Sequence, residues 1–291
     1  MQRFLLFVAV MSIACVFSIG AAAEDTSDAL SRQYRPALET IRQAYNHATI
    51  KGTFALSFPK SGGMHRTSDF VYRVDGPRMR LDEINVVSYA DGAPSGIVES
   101  RRHLLTPETS VWAYQGPNEP FDFNEEDREA CKSYIAFTTH LRWTYLSDWL
   151  TDILSDPDGI PDGMATTLGE STCDGRRLVN IRCNWTPPSA LDDGTTVFWQ
   201  SDYQLSPSES WALREALTTS QVDGEDILHG RVHIDYSGMR DGVPLVKRIV
   251  EEISSAPQFE VEQRLTVDVS DIVFASPEAH IFTREAPECK K

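Results

Sequence analysis

The chain has 291 residues, of which 43 are acidic and 27 are lysine or arginine, giving a formal net charge of −16. This excess of negative charge disfavours nucleic acids and anionic membrane surfaces as partners. After residue 23, no apolar run reaches the ~20 residues of a membrane-spanning helix. The chain contains no low-complexity linker and no clear repeat, so we expect one large domain rather than two small ones.

The first 23 residues are typical of a secretory signal peptide. Arg3 supplies a positive start, residues 4–19 are almost wholly apolar, and Ala23 ends a run of small residues suited to cleavage. We therefore expect an exported protein, periplasmic or extracellular, whose mature chain is residues 24–291.

A lipoprotein signal that ends at Cys15 is the alternative for this segment. Two features disfavour it: Ser12 stands where such signals favour leucine, and the apolar run continues past the cysteine. Lipidation at Cys15 would anchor the protein to a membrane.

The mature chain is predicted to begin with an amphipathic helix over residues 27–47. Apolar residues recur there at steps of three or four. They are Leu30, Tyr34, Leu38, Ile41 and Tyr45. Alternation and turn signals then predict strands at residues 51–58, 70–74, 79–82, 97–105, 111–114, 166–170, 176–185, 195–203 and 211–218.

A segment of different character interrupts these strands. Residues 119–129 are strongly acidic, and residues 134–154 are rich in aromatic side chains at helical spacing. We interpret residues 119–155 as an insertion of one or two helices into the sheet.

The last third of the chain alternates between apolar and polar residues over three long segments. These are residues 231–236, 243–253 and 259–269, and Asp241-Gly242 between the first two is a hairpin signal. Strands of this kind have one dry face and one wet face. The pattern therefore predicts a broad antiparallel sheet whose apolar face must be covered.

The mature chain has four cysteines, an even number in an oxidising compartment: Cys131, Cys173, Cys183 and Cys289. A tight turn at Asp174-Gly175 would place Cys173 opposite Arg176 rather than opposite Cys183. The disulfide pattern therefore stays open at this point, and the spacing is not that of a zinc site.

Two segments resemble metal sites but lack the ligands or the spacing that a metal ion requires. Residues 156–163 alternate carboxylates with glycine, yet an EF-type loop would have Ile160, Pro161 and Thr167 at ligand or turn positions. His229 and His233 share a strand face, but they are about 13 Å apart along the strand. We therefore expect no metal and no cofactor.

The sequence also shows no motif of a catalytic nucleophile, a metalloprotease helix or a phosphate-binding loop. Carboxylates are abundant, but no pair stands out as a general acid and base. We expect no catalytic residue, with a secreted hydrolase acting through surface carboxylates as the alternative.

Large aromatic residues are the remaining feature of the sequence that bears on function. Most of them are explained by the packing of a helix on a sheet. The functional interpretation is a ligand cavity between a wide curved sheet and few helices.

Several short motifs resemble the periplasmic lipoprotein-carrier superfamily, the LolA/LolB-like proteins. The leading helix is followed by Gly52-Thr53-Phe54, and a strand pair turns at Asp75-Gly76-Pro77 and continues to Asp82. Trp112 stands two residues before Tyr114, and Phe198-Trp199 is followed by Ser206-Pro207, Trp211 and Arg214. The chain departs from this pattern by its greater length, its insertion and its acidity.

The resemblance implies an α+β fold, a strongly curved open antiparallel sheet (a half-barrel) with helices covering its concave face. It also implies a hydrophobic cavity for acyl chains and a cavity arginine on an early strand, for which Arg73, Arg78 and Arg80 are candidates.

On this basis we expect a non-catalytic, monomeric protein that binds a lipid or an acylated lipoprotein, as a carrier in envelope trafficking with transport partners. An extracellular interaction module is a further alternative to the hydrolase. The residues expected to line the cavity are Phe54, Leu56, Phe58, Phe70, Tyr72, Met79, Leu81, Trp112, Tyr114 and Trp199.

Overall fold

The fold is seen in a computed structural model that describes most of the mature chain. The described residues are 26–60, 63–90, 93–116, 120–139, 141, 165–173, 175–190, 196–222, 225–254 and 259–284. The predicted signal peptide and the calcium candidate at residues 156–163 lie outside them. Within the described part, no helix is long and apolar enough to cross a membrane.

Thirteen strands form one open antiparallel sheet in the order β6-β5-β4-β3-β2-β1-β13-β12-β11-β10-β9-β8-β7. The strands are β1 His47–Phe58, β2 Gly63–Asp75, β3 Arg78–Ala90, β4 Ala93–Leu105, β5 Ser110–Gln115, β6 Asp122–Glu125, β7 Ala165–Cys173, β8 Arg176–Ala190, β9 Thr196–Ser206, β10 Ala212–Val222, β11 Glu225–Arg240, β12 Val243–Ile253 and β13 Gln263–Val273. The two helices described are α1 Thr26–Tyr45 and α2 Arg128–Thr139. Short 3₁₀ turns cover Pro207–Glu209 and Ala279–Phe282.

The strand order consists of two meanders that meet at a single pair of strands. Strands β1 to β6 follow one another outward in one direction, and β13 back to β7 follow in the other. Residues 49–57 of β1 pair with residues 264–273 of β13, and this pairing joins the two meanders into one sheet.

Helix α1 covers one side of this sheet, which we call the inner face. It contacts β1, β12 and the edge strand β7. Its apolar stripe is buried as predicted: Tyr34, Leu38, Ile41 and Tyr45 are each at most 4% exposed. The Tyr45 hydroxyl donates to the Pro244 carbonyl at 2.8 Å, which fixes the end of the helix on β12. The side chain of Leu30 lies outside the described residues.

The hairpin predicted at Asp241-Gly242 is confirmed. Both residues have positive φ, 50° and 79°, as a two-residue type I′ turn requires. In the preceding strand, Val232 and Ile234 are buried on the inner face, whereas His233 between them is exposed. The predicted curved antiparallel sheet with helices on its concave side is therefore the fold observed.

Several predicted boundaries were wrong. Strand β13 begins at Gln263, so Phe259 and Val261 precede it although they continue its alternation. The acidic part of the predicted insertion contains a strand, β6, paired with β5. Helix α2 begins at Arg128, six residues before the aromatic pattern suggested, because Asp127 accepts hydrogen bonds from the first amides of the helix.

Gly52 is required at the junction of the two meanders. A Cβ there would collide with the backbone carbonyl of Asp268 and lie 2.9 Å from the Phe70 ring. We predict that Gly52→Ala lowers the free energy of unfolding by about 1–3 kcal/mol, the usual cost of overpacking. Urea denaturation measures this change.

Gly230→Ala is the matched control, since its Cβ would lie no closer than 3.7 Å to any neighbour. It also lies in a strand and should change stability little. Equal effects of the two substitutions would contradict the close approach at Gly52.

Candidate functional site

Nine of the ten predicted lining residues share the inner face. The strand register identifies the residues of this face from β1 to β5, because directly paired residues point to the same side of a sheet. The pairs are Ile50 with Tyr72, Tyr72 with Leu81, Leu81 with His103 and His103 with Trp112. The residues on it are Phe54, Leu56, Phe58, Phe70, Tyr72, Met79, Leu81, Trp112 and Tyr114. Trp199 pairs with Trp185 and Ser220 in the other meander, and its side chain lies outside the described residues.

Most of these residues form a packed apolar wall beneath α2. Phe54 and Phe70 are 1% exposed and Leu81 is fully buried, whereas Trp112 is 36% exposed at the margin. The Phe137 ring of α2 packs against Phe54 with centroids 5.8 Å apart. In this conformation α2 occupies the space above the wall, so a ligand that contacts Phe54 must displace this helix.

A buried polar group, which we call the inner-face ion cluster, adjoins the wall. It consists of Arg66, Ser68, Glu83 and Tyr134. The Glu83 carboxylate is fully buried and pairs directly with the Arg66 guanidinium. It also accepts hydrogen bonds from Ser68 at 2.9 Å and from the Tyr134 hydroxyl at 2.8 Å. Tyr134 is in α2, so this cluster fastens the helix to β2 and β3.

The electrostatics of this cluster depend on burial. The Arg66 guanidinium lies 5.3 Å from the centroid of the Phe54 ring and 5.6 Å from that of Tyr134. Burial raises the pKa of Tyr134, and the nearby Glu83 charge raises it further. Tyr134 therefore stays neutral and acts as a hydrogen-bond donor to a carboxylate whose charge Arg66 balances.

Three further side chains lie beside Tyr134 on the same face. The His103 ring stacks on Tyr134 with centroids 4.0 Å apart, and its Nδ1 lies 3.2 Å from Glu126 Oε2. Burial lowers the pKa of His103 although Glu126 opposes this effect. Burial, together with Glu126, raises the pKa of the Cys131 thiol to about 12. Histidine and thiol are thus neutral at pH 7.

These polar residues were not predicted because the predicted strands at residues 70–74 and 79–82 are shorter than β2 and β3. Strand β2 begins at Gly63 and β3 continues to Ala90. Extending the alternation of Phe70 back to Arg66, and that of Leu81 on to Glu83, would have placed both residues on the inner face. Arg73, Arg78 and Arg80, the candidates for a cavity arginine, have the opposite register from the predicted wall. Arg66 and Arg101 lie on the inner face beside it.

Arg73 and Arg80 belong instead to a buried cluster on the opposite, outer face. Asp82 accepts hydrogen bonds from Arg73 at 2.8 Å, from Arg80 at 2.8 Å and from Arg102 at 2.7 Å. The backbone carbonyls of Ile281 and Arg284 accept further bonds from Arg80 and Arg102, so the C-terminal segment packs over this outer-face ion cluster. Arg78 is half-exposed and pairs with Asp75.

The remaining sequence candidates do not form a site together. His229 bonds to Ser220 at 2.7 Å and His233 to Asp235 at 3.2 Å, so the two imidazoles have separate partners. Cys173 pairs in register with Arg176, as the tight turn predicted, and Cys183 with Ala165. Cys289 lies outside the described residues.

Comparison with known proteins gives distant structural similarity. No protein-family model matches the sequence, and no curated protein matches it significantly. Among solved structures, a domain named for outer membrane lipoprotein sorting from Vibrio parahaemolyticus is 10% identical, with a TM-score of 0.42 over 87% of this chain and 97% of its own. A DUF1329 family protein from Desulfovibrio piger is 10% identical, with a TM-score of 0.44 over 88% and 98% of the two chains. A LolA superfamily protein from Nitrosomonas europaea is 11% identical, with a TM-score of 0.42 over 87% and 98%.

At this identity, and with TM-scores below 0.5, these structures assign the chain neither to a family nor to a function.

The inner-face ion cluster leads to a stability prediction. Arg66→Met leaves the buried Glu83 without its cation and should cost about 3–5 kcal/mol of unfolding free energy. The double variant Arg66→Met/Glu83→Leu should recover most of that loss, because no buried charge remains. Chemical denaturation of the three proteins measures both effects.

The exposed pair Arg177–Glu170 supplies the control. Both side chains are more than half exposed, so Arg177→Met should change stability little. A double variant as unstable as Arg66→Met alone would show that the loss comes from packing rather than from an uncompensated charge.

Proposed function

We propose that this protein is a non-catalytic binder of acyl chains, which it takes from a lipid or an acylated protein onto the inner face beneath α2. The observation that carries the proposal is how this face is covered. Across β1 to β5 it is broad and largely apolar, and among the described helices the 12-residue α2 covers part of it beside α1. A short helix is a cover that can move.

The side chains of the wall are suited to contact with a hydrocarbon chain. Phe54, Leu56, Phe70 and Leu81 present carbon surface, and each methylene buried against them contributes about 0.8 kcal/mol. A chain of ten methylenes would therefore contribute roughly 8 kcal/mol, before the costs of ordering the ligand. This contribution would oppose the loss of the contacts that α2 makes with the sheet.

Three of the contacts that hold α2 lie directly over the wall and the ion cluster. The Phe137 ring on Phe54, the Tyr134 hydroxyl on Glu83 and the stack of Tyr134 on His103 fix it to the sheet. Each can be re-formed after the ligand leaves, and none is covalent. In this mechanism α2 is a lid that closes onto its own wall when no ligand is bound.

The proposal extends to location and partners. A signal peptide of residues 1–23 would export residues 24–291 as one domain to the periplasm or beyond, where the protein acts as a monomer. Envelope partners would deliver and receive the acylated cargo. Strand β3 carries two buried carboxylates, Asp82 and Glu83, and each forms an ion pair with an arginine. A buried carboxylate paired in this way is better suited to a structural role than to acid–base catalysis.

Leu56→Glu tests the binding surface. The new carboxylate would be desolvated on the wall, so binding of a fluorescent fatty-acid probe should be lost. Fluorescence titration measures binding, and circular dichroism checks that the variant folds. Ala55→Glu is the matched control, since Ala55 lies on the outer face of the same strand and its variant should bind normally. A wild-type protein that binds no probe or lipid but cleaves an ester or glycan panel would overturn the proposal.

Phe137→Ala tests the role of α2 as the lid. Removing the ring that packs on Phe54 weakens the closed state, so the probe should associate faster, while the wall itself is intact. Stopped-flow fluorescence measures the rate. Lys132 is exposed on the same helix, so Lys132→Ala is the control and should leave the association rate of the probe unchanged. An unaltered rate in Phe137→Ala would show that ligands enter without moving this helix.

A further inference from the structure

Three side chains able to bind a metal ion meet where α2 begins. Among the described residues, His103 Nδ1, a Glu126 carboxylate oxygen and Cys131 Sγ all lie within 4.8 Å of one another. We propose that these three residues bind one Zn²⁺ ion, with a water molecule as the fourth ligand. The metal candidates considered in the sequence, residues 156–163 and His229 with His233, do not include this group.

The donor set is one that zinc favours. Imidazole nitrogen, carboxylate oxygen and thiolate sulfur bind Zn²⁺ at about 2.0–2.3 Å in a tetrahedron, which places neighbouring donors about 3.5 Å apart. His103 Nδ1 and Glu126 Oε2 are already 3.2 Å apart. Small side-chain movements therefore bring all three donors to bonding distance.

The three donors are held by separate backbone anchors. The Glu126 amide donates to the Ser110 carbonyl at 3.0 Å, which ties this residue to β5. The Cys131 amide donates to the Asp127 carbonyl at 2.9 Å in the first turn of α2. His103 is part of β4 and its ring stacks on Tyr134. The site is thus largely formed before an ion arrives, which lowers the cost of binding.

The surroundings supply both a nearby polar group and an entry path. The buried Ser110 hydroxyl lies within hydrogen-bonding reach of the Cys131 thiol. It can bond to a zinc-bound water. The His103 side chain is 5% exposed and the Glu126 side chain 17% exposed, so the carboxylate connects the site to solvent.

Hydrogen bonding among the same three groups is the simpler interpretation. It accounts for the contacts of Glu126 with His103 and with Cys131. It gives no reason, however, for a thiol, an imidazole and a carboxylate to converge from three chain segments.

Zinc binding would replace one proton within this group, that of the Cys131 thiol. The S–H bond of Cys131 breaks, the sulfur electron pair forms the Zn–S bond, and the proton passes to solvent. His103 binds through the Nδ1 lone pair with its remaining proton on Nε2. The ion then cross-links β4 to the start of α2, two elements otherwise joined by non-covalent contacts.

The test uses the purified full chain, stripped with a chelator and re-equilibrated with Zn²⁺. Elemental analysis after gel filtration should find one zinc per chain, and the melting temperature should rise. Co²⁺ in place of Zn²⁺ should show a thiolate-to-cobalt charge-transfer band. Cys131→Ser and His103→Gln should weaken zinc binding by more than the roughly 10–100-fold that follows loss of an outer-shell partner.

Cys173→Ser and His233→Gln are matched controls elsewhere in the sheet and should bind zinc as the wild type does. The proposal is overturned if the wild type retains no zinc, if Cys131→Ser retains it unchanged, or if Cys173→Ser abolishes it. Should Cys131→Ser prove unfolded by circular dichroism, the wild-type cobalt spectrum decides: a missing charge-transfer band overturns the site. These measurements follow metal rather than lipid, so they do not depend on acyl binding.

Discussion

The pairing of β1 with β13 is the contact on which the rest of the structure depends. Each meander alone would end in an open edge at this point, and only their union gives an inner face wide enough to seat α1 across it. The junction is tight, since Gly52 leaves no room for a side chain between the Asp268 carbonyl and the Phe70 ring. The apolar wall beneath α2 begins at this same strand, with Phe54. The geometry of the candidate site is therefore set by a pairing, in the middle of the sheet, between its first and last strands in chain order.

Buried charges on the two faces of the first meander, β1 to β6, are balanced by different partners. On the inner face Glu83 pairs with Arg66 and accepts a hydrogen bond from Tyr134 of α2. On the outer face three arginines converge on Asp82, and two of them donate to carbonyls of the C-terminal segment. In both cases an element that covers the sheet contacts the buried charged groups. Buried ion clusters of this kind add little net stability, but they fix which element docks where.

Much of this fold could be predicted from the sequence because its signals are local. The stripe of Tyr34, Leu38 and Ile41, the alternation around Val232 and the turn at Asp241-Gly242 each depend on neighbouring residues. The contacts among the polar residues of the inner face could not be predicted from neighbouring residues in the same way. A register shift between Thr67 and Asp69 lies beside Arg66, and strand pairing rather than local pattern brings Glu83 to Tyr134. Likewise His103, Glu126 and Cys131 come together only because α2 returns over β4. The aromatic wall was predicted as a set, whereas its packing against Phe137 depends on a helix whose start the sequence pattern misplaced.

The long separation along the chain between β1 and β13 also has a consequence for how the protein is made. The hydrogen bond from the Ser270 hydroxyl to the Lys51 carbonyl spans 219 residues. During synthesis β1 is among the first strands produced and its partner among the last, so one edge of β1 stays unpaired until nearly the whole chain exists. Closing so long a loop makes folding slow, and an unpaired apolar strand is the kind of surface on which chains aggregate. Molecular chaperones that hold the growing chain extended would therefore benefit this topology more than one built from sequence-adjacent strands alone.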